Sequence, residues 1–245
     1  MDKIKGSKIK IIGSIIIAVV LVIGGNWIYK NRKVHFEDEK MRQVICLELG
    51  KNKEAQDVTY RDLEKIEELR IGPIGEFETI IDVGKCKSLK ELWVNVGVVT
   101  GQNSHEIYRK DIDGNRYYPV MKKEKIADAQ KDLAKVLKKT SELEKFIFTN
   151  VHQSCNITDF NFLRDAKNLR ELAICFANVS DFSFLESCSK LKKVDLEQSN
   201  IKTADSLLKL KHVKRFVLTG TPLAENEEEL NRLREAFPEA KIIVD

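Results

Sequence analysis

The 245-residue chain has few of the residues that punctuate or staple a fold: four Pro, twelve Gly and five Cys. It has no Pro-rich or Gly/Ser-rich stretch, which excludes a stalk or flexible linker between its parts. An odd cysteine count leaves at least one thiol unpaired, and the absence of any C-x-x-C or Cys/His spacing removes the usual zinc-site patterns. The four histidines, His35, His105, His152 and His212, are scattered and read as structural or solvated residues. No G-x-S-x-G, phosphate-binding glycine loop or paired His/Glu motif occurs. The string Asp111-Ile-Asp113-Gly114-Asn115 starts like a calcium loop, but Gly stands fourth where the motif needs it sixth, and Lys122 takes the place of the twelfth-position Glu. Asn156-Ile-Thr158 and Asn178-Val-Ser180 match glycosylation acceptors that matter only in a eukaryotic secretory setting. The reading that follows has no catalytic residue, no metal and no cofactor: the chain is not expected to be an enzyme.

An excess of charge is missing too. Formal net charge is +4, and the first 29 residues hold four Lys against one Asp, so the rest of the chain is close to neutral. Nucleic acid is therefore not an expected partner. Only one long apolar run exists, IKIIGSIIIAVVLVIGGNWIY at residues 9–29, with Lys10 as its single charge. Twenty-one residues of helix would measure about 31 Å, the thickness of a bilayer core. Trp27 and Tyr29 stand where interfacial aromatics belong. A cleaved signal peptide is the competing reading, against which stand the length of the run and the lack of a small-residue cleavage site. Residues 1–8 then form a basic tail and 9–29 a transmembrane helix. Basic residues flank both ends, and the four-lysine tail favours a single-pass cell membrane protein with its N-terminus cytoplasmic and its repeats extracytoplasmic.

What the chain has is a repeated phrase, L-x-x-L-x-L. Leu169, Leu172 and Ile174 spell it; Leu191, Val194 and Leu196 repeat it 22 residues later, and Val213, Phe216 and Leu218 after a further 22. It extends back to Leu143, Phe146 and Phe148, to Leu89, Leu92 and Val94, and to Ile66, Leu69 and Ile71, and forward to Phe237, Ala240 and Ile242. A fixed period of this length signals one unit stacked on copies of itself, an α/β solenoid whose short parallel strands line one face. First, fourth and sixth positions face the core. Val179, Phe182 and Leu185, and at the same offsets Ile201, Ala204 and Leu207, are expected as the inner row of the return arm. Cys86 and Cys188 occupy a slot also held by Leu63 and Leu210, so they act as small apolar core residues, whereas Cys175 is expected near the surface. Cys46 falls on the front helix and Cys155 in a longer turn.

Over residues 58–245 the chain resembles the bacterial leucine-rich repeat family with short, roughly 22-residue units, as in internalin-type proteins. The segments DFSFLESCSKLKKVDLEQSNI and LTGTPLAENEEELNRLREAFPEAKIIV carry the resemblance, the second as a closing unit. The family's Asn three residues past the last strand Leu is replaced by Ala177, Ser199 and Thr221. The resemblance implies a leucine-rich repeat solenoid that works by binding. At the front, residues 34–57 read as a helical cap, with a helix from Phe36 to Leu49 stopped by Gly50; the rival is an eighth strand through Val44, Leu47 and Leu49. At the back, a helix over Asn226–Ala236 and a strand over Lys241–Val244 close the array.

Residues 95–142 break the period. Asp113-Gly114 predicts a two-residue turn that sets Ile112 opposite Asn115, Asp111 opposite Arg116 and Lys110 opposite Tyr117, in a hairpin carrying Tyr108, Tyr117 and Tyr118. A helix over about Lys122–Lys139 follows, with Ile126, Ala129, Leu133, Val136 and Leu137 on one face. The hairpin is either a side wall of a binding face or a decoration without such a role.

The solvent-facing strand positions form columns. The middle column reads Arg70, Trp93, Ile147, Ala173, Asp195, Val217 and Lys241. Trp93 beside Ile147 is a candidate hot spot, unless the hairpin tyrosines pack over it. The first column, Glu68, Glu91, Lys145, Glu171, Lys193 and Arg215, reads as a solvated ladder of opposite charges. The expectation is a membrane-anchored, non-catalytic module binding an unidentified protein or other surface macromolecule, with a cytoplasm-facing tethered scaffold as the alternative.

Overall fold

The computed structural model describes residues 24–52, 57–72, 74–95, 109–110, 116–117, 123–150 and 157–245. In chain order the elements are helix α1 (24–30), α2 (Glu39–Glu48), α3 (Tyr60–Leu63), strands β1 (Glu68–Ile71), β2 (Glu91–Asn95), β3 (Arg109–Lys110) and β4 (Arg116–Tyr117). Then come α4 (Lys123–Lys139), β5 (Lys145–Thr149), β6 (Glu171–Cys175), β7 (Lys193–Asp195), β8 (Arg215–Val217), α5 (Glu227–Ala236) and β9 (Lys241–Ile243). Seven strands make one sheet in the order β1-β2-β5-β6-β7-β8-β9, every pair parallel.

The repeated phrase forms these strands because alternate residues must enter one core. Leu69, Leu92, Phe146, Leu172, Val194 and Phe216 stand in register across neighbouring strands, and all are buried. The last strand departs from the reading. Phe216 pairs with Ile242, not Ala240, which moves Lys241 out of the middle column to lie opposite Arg215; Ile243 takes its place opposite Val217. The cause is α5: a full helix returns the chain here, and it needs more residues than the 3-10 turns of the inner repeats.

Those 3-10 turns, Ile81–Lys85, Asn161–Asp165, Ser183–Ser187 and Leu207–Lys209, are the return arms. Val179, Leu185, Ile201, Ala204 and Leu207 are buried, as the spacing predicts. Phe182 is only half-buried, and Phe184 is enclosed instead, within an aromatic file with Phe160 and Phe162. With about three residues per turn, the 3-10 arm turns two adjacent side chains, Phe184 and Leu185, into the stack. Cys86 and Cys188 are core residues, and Cys46 is buried as well. Cys175 is 6% exposed, so the surface placement is corrected. Cys155 lies outside the described residues.

Helix α4 is the return arm of the enlarged repeat. It packs between the arms at Ile81–Lys85 and Asn161–Asp165 and buries Leu133, Val136 and Leu137. β3 and β4 pair only with each other, and their register differs from expectation: Arg109 faces Tyr117 and Lys110 faces Arg116. Residues 111–115, and with them the expected Asp113-Gly114 turn and the Asp111–Arg116 pairing, lie outside the described residues. Tyr108 and Tyr118 lie outside the described residues.

At the front, α2 begins at Asp38, whose side chain accepts from Met41 N, and ends beside Gly50 at φ +65°. The alternative of an eighth strand is thereby excluded. Three buried carboxylates tie the cap and α4 to the first repeats. Asp38 also accepts from Glu78 N at 2.6 Å. Asp82 accepts from Glu37 N, Asp38 N and Lys85 Nζ at 2.8, 3.0 and 2.6 Å. Asp132 accepts from the Thr79 hydroxyl and from Ile80 N. At the back, Asn226 caps α5, and Glu229 reaches across to accept from Ala204 N at 2.7 Å.

Where Ala177, Ser199 and Thr221 replace the family's Asn, the turns after the strands are built otherwise. Phe176, Gln198 and Gly220, spaced 22 residues apart, all adopt positive φ (58°, 53° and 66°). Phe176 N and Gln198 N then donate to Glu197 O and Thr219 O of the next repeat. Asn200 does part of the missing work by accepting from Val179 N and donating to Val179 O at 2.7 and 3.1 Å.

The single-pass membrane protein expected from residues 9–29, with cytoplasmic N-terminus and extracytoplasmic repeats, is not supported: among the described residues no helix is long and apolar enough to cross a membrane. Tyr29, read as an interfacial aromatic, stacks on Tyr60 with centroids 4.8 Å apart, and Lys30 pairs with Glu64 at 2.9 Å. Residues 1–23 lie outside the described residues.

Candidate functional site on the open face of the sheet

Six residues of the expected middle column do lie side by side on the face of the sheet opposite the core. Arg70 is opposite Trp93, Trp93 opposite Ile147, Ile147 opposite Ala173, Ala173 opposite Asp195 and Asp195 opposite Val217. Ala173 has the shortest side chain of the six. Its methyl leaves a shallow, open depression walled by Ile147, Asp195 and Val217 and edged by Lys145, Lys193 and Arg215. Glu171 also borders it.

Trp93 occupies the other part of the column, half-buried. The Arg70 guanidinium lies 4.4 Å and the Lys145 ammonium 4.9 Å from its ring centroid. The two cations are themselves held, Arg70 by Glu68 at 2.7 Å and Lys145 by Glu91 at 3.0 Å. Cation–π contacts at such sites contribute about 0.5–1 kcal/mol each. The Trp93 indole N–H is buried and has no acceptor among the described residues. Of the three hairpin tyrosines, only the backbone of Tyr117 is described, so their packing on Trp93 falls outside the described residues.

Asp195 is fixed from below. Its Oδ1 accepts from Cys175 Sγ at 3.5 Å and from Glu197 N at 3.1 Å. Burial first, and then the Asp195 charge, hold the Cys175 thiol far above its ordinary range. It is therefore a protonated donor, not a nucleophile. Cys175, Asp195 and Glu197 form the one group of at least three His, Cys, Asp or Glu residues among the described residues whose ligand atoms lie within 4.8 Å of one another. Two hydrogen bonds already account for this closeness, and a metal would have to displace the thiol proton.

Sequence reading took the first column for a ladder of alternating charges. The pairs that form are Lys145 with Glu91 and Lys193 with Glu171, the latter at 2.6 Å. Beyond them the alternation stops, because Lys193, Arg215 and Lys241 are consecutive partners in register. Lys192-Lys193 and Lys214-Arg215, at identical repeat positions, are the signal that could have revealed this. The displacement of Lys241 into the wrong column hid it.

No known protein family and no curated protein matches the sequence. Among solved structures, an internalin of Listeria monocytogenes (InlF) shares 17% identity over 85% of this chain and 56% of its own, with a TM-score of 0.46. Internalin C2 of the same organism shares 22% identity over 77% of this chain and 89% of its own, at 0.35. A leucine-rich repeat protein of Leptospira interrogans shares 16% over 71% and 40%, at 0.40. The chain thus spans little more than half of the first of these. Strand order and the repeated register of the chain itself decide the architecture. The fold is a leucine-rich repeat solenoid.

Proposed function

We propose that this leucine-rich repeat solenoid is a non-catalytic module that binds another protein on the open face of its sheet. The observation that carries the reading is the depression over Ala173, set within a column of side chains that the repeat register holds in line. Stacked repeats make a rigid platform, and side chains projecting from parallel strands keep fixed spacing, roughly 4.8 Å from strand to strand. Trp93, clamped between Arg70 and Lys145, adds a pre-ordered aromatic group of the kind that anchors interfaces. The nearest thiol, Cys175, is buried beneath this face and donates to Asp195.

A photoreactive phenylalanine analogue placed at Ala173 or Val217 is expected to form protein adducts in cells producing the chain. The same group at Glu186 or Lys190, on the return side, should give none. Adducts only from the return side would overturn the reading. For Trp93→Ala the expected result is loss of the Ala173 adduct with thermal stability nearly retained; lost stability with the adduct intact would make Trp93 a packing residue only.

A further inference from the structure

The charge pattern of the open face goes a step further and rests on the reading of that face as a binding surface. From β1 to β7 each acid of the first column is engaged by a cation: Glu68 by Arg70, Glu91 by Lys145, Glu171 by Lys193. From β7 to β9 the same column is Lys193, Arg215 and Lys241, three exposed cations on neighbouring parallel strands. Like charges directly opposite one another across strands oppose pairing. Arg215 and Lys241, and the exposed Lys192 and Lys214 that precede β7 and β8, make no ion pair with any described residue. Glu239, two residues before Lys241, is exposed and forms no ion pair with a described residue; the other acids near the column in register are Asp195 and Glu197. Asp195 lies beside them in the middle column, but its Oδ1 is engaged by Cys175 and Glu197 N, and neither acid forms an ion pair.

We propose that the partner presents a segment in which acidic residues flank an apolar side chain. The apolar side chain enters the depression over Ala173, between Ile147 and Val217, and the acids meet Arg215 and Lys241. Repulsion that is uncompensated within the chain is relieved on binding, so the cations give both attraction and orientation.

The test uses the full chain and a fluorescent peptide of alternating Glu and Leu, with a Lys-for-Glu peptide of the same length as control. The acidic peptide is expected to bind, and to bind less tightly by about tenfold or more between low and high salt. Arg215→Glu with Lys241→Glu should weaken it by a further factor of about ten, whereas Lys209→Glu with Lys211→Glu, on the return arm, should leave it unchanged. Equal binding of the two peptides, or indifference to the Arg215/Lys241 reversal, overturns the proposal. So does inorganic polyphosphate or a DNA oligonucleotide binding as tightly as the peptide, which would mark a general anion surface. If the peptide fails while the Ala173 photo-adduct forms, the acidic partner is wrong and the binding face stands. If both fail, the binding face itself is wrong.

Discussion

Around β1 and β2 the structure is held by buried carboxylates. Asp38, Asp82 and Asp132 each collect hydrogen bonds from main-chain amides, and they join the front cap and α4 to the first return arm. Around β6 to β8 the return arms are lined by apolar side chains: Phe162 and Phe184, which hold the place of Asp82 in their 3-10 turns, are buried, as are Cys188, Ala204 and Leu207. In the regular repeats much of the backbone is satisfied by the next copy, with Asn200 and Glu229 adding side-chain partners, and the rest is apolar packing. The front joins unlike pieces, a cap helix, a first repeat and an enlarged one, whose irregular main chain has no matching neighbour. Specific side chains must supply the missing acceptors there.

This contrast is open to direct challenge. Phe184→Ala, in the regular half, is expected to show the largest loss, about 3–5 kcal/mol in denaturant titration. A loss below about 1 kcal/mol would mean that the arms close over the gap and that their packing is not the source of stability. Asp82→Ala should follow at about 2–4 kcal/mol, since it leaves two amides without an acceptor. Faster hydrogen exchange at Glu37 and Asp38 is its local signature; unchanged exchange there would remove Asp82 from its role. Asn200→Ala is expected to cost about 1–2 kcal/mol, with loss of protection at Val179 N. If protection survives, water or main chain serves the turn without the amide.

The smallest effect is in acid. Asp62 is partly buried, which alone would raise its pKa, but Thr59, Lys65 and Lys51 outweigh this and hold it well below the carboxylate range. A depressed folded-state pKa gives stability that is present above the unfolded value, near 4, and is lost as pH falls through the folded one. Asp62→Asn should therefore lower stability at neutral pH by about 1 kcal/mol and narrow the gap to the parent as the solution is acidified. A gap that does not narrow in acid would assign the loss to packing.

The recurrence of L-x-x-L-x-L carried most of the architecture, because a strand's two-residue alternation and a fixed repeat length leave one way to stack. Six members of the middle column follow from it. The failures share a cause. Lys241 and the burial of Phe184 depend on how many residues a particular turn or helix consumes, and a 3-10 arm and a full helix look alike in a hydrophobic pattern. The membrane reading of residues 9–29 rested on length and hydropathy, whereas among the described residues no helix is long and apolar enough to cross a membrane, and Tyr29 packs on Tyr60.

By itself, the sequence determined that the chain stacks parallel strands over a shared apolar core and which residues face away from it, since both follow from local periodicity. Only the tertiary structure decided what those outward residues do to one another. Pairing of Lys145 with Glu91 rather than Glu171, the two cations on Trp93, the thiol beneath Asp195 and the run of cations from Lys193 to Lys241 all arise between strands. Charge and hydrogen-bond interactions fall off within a few ångströms, so they depend on neighbours that lie 20 or more residues away along the chain.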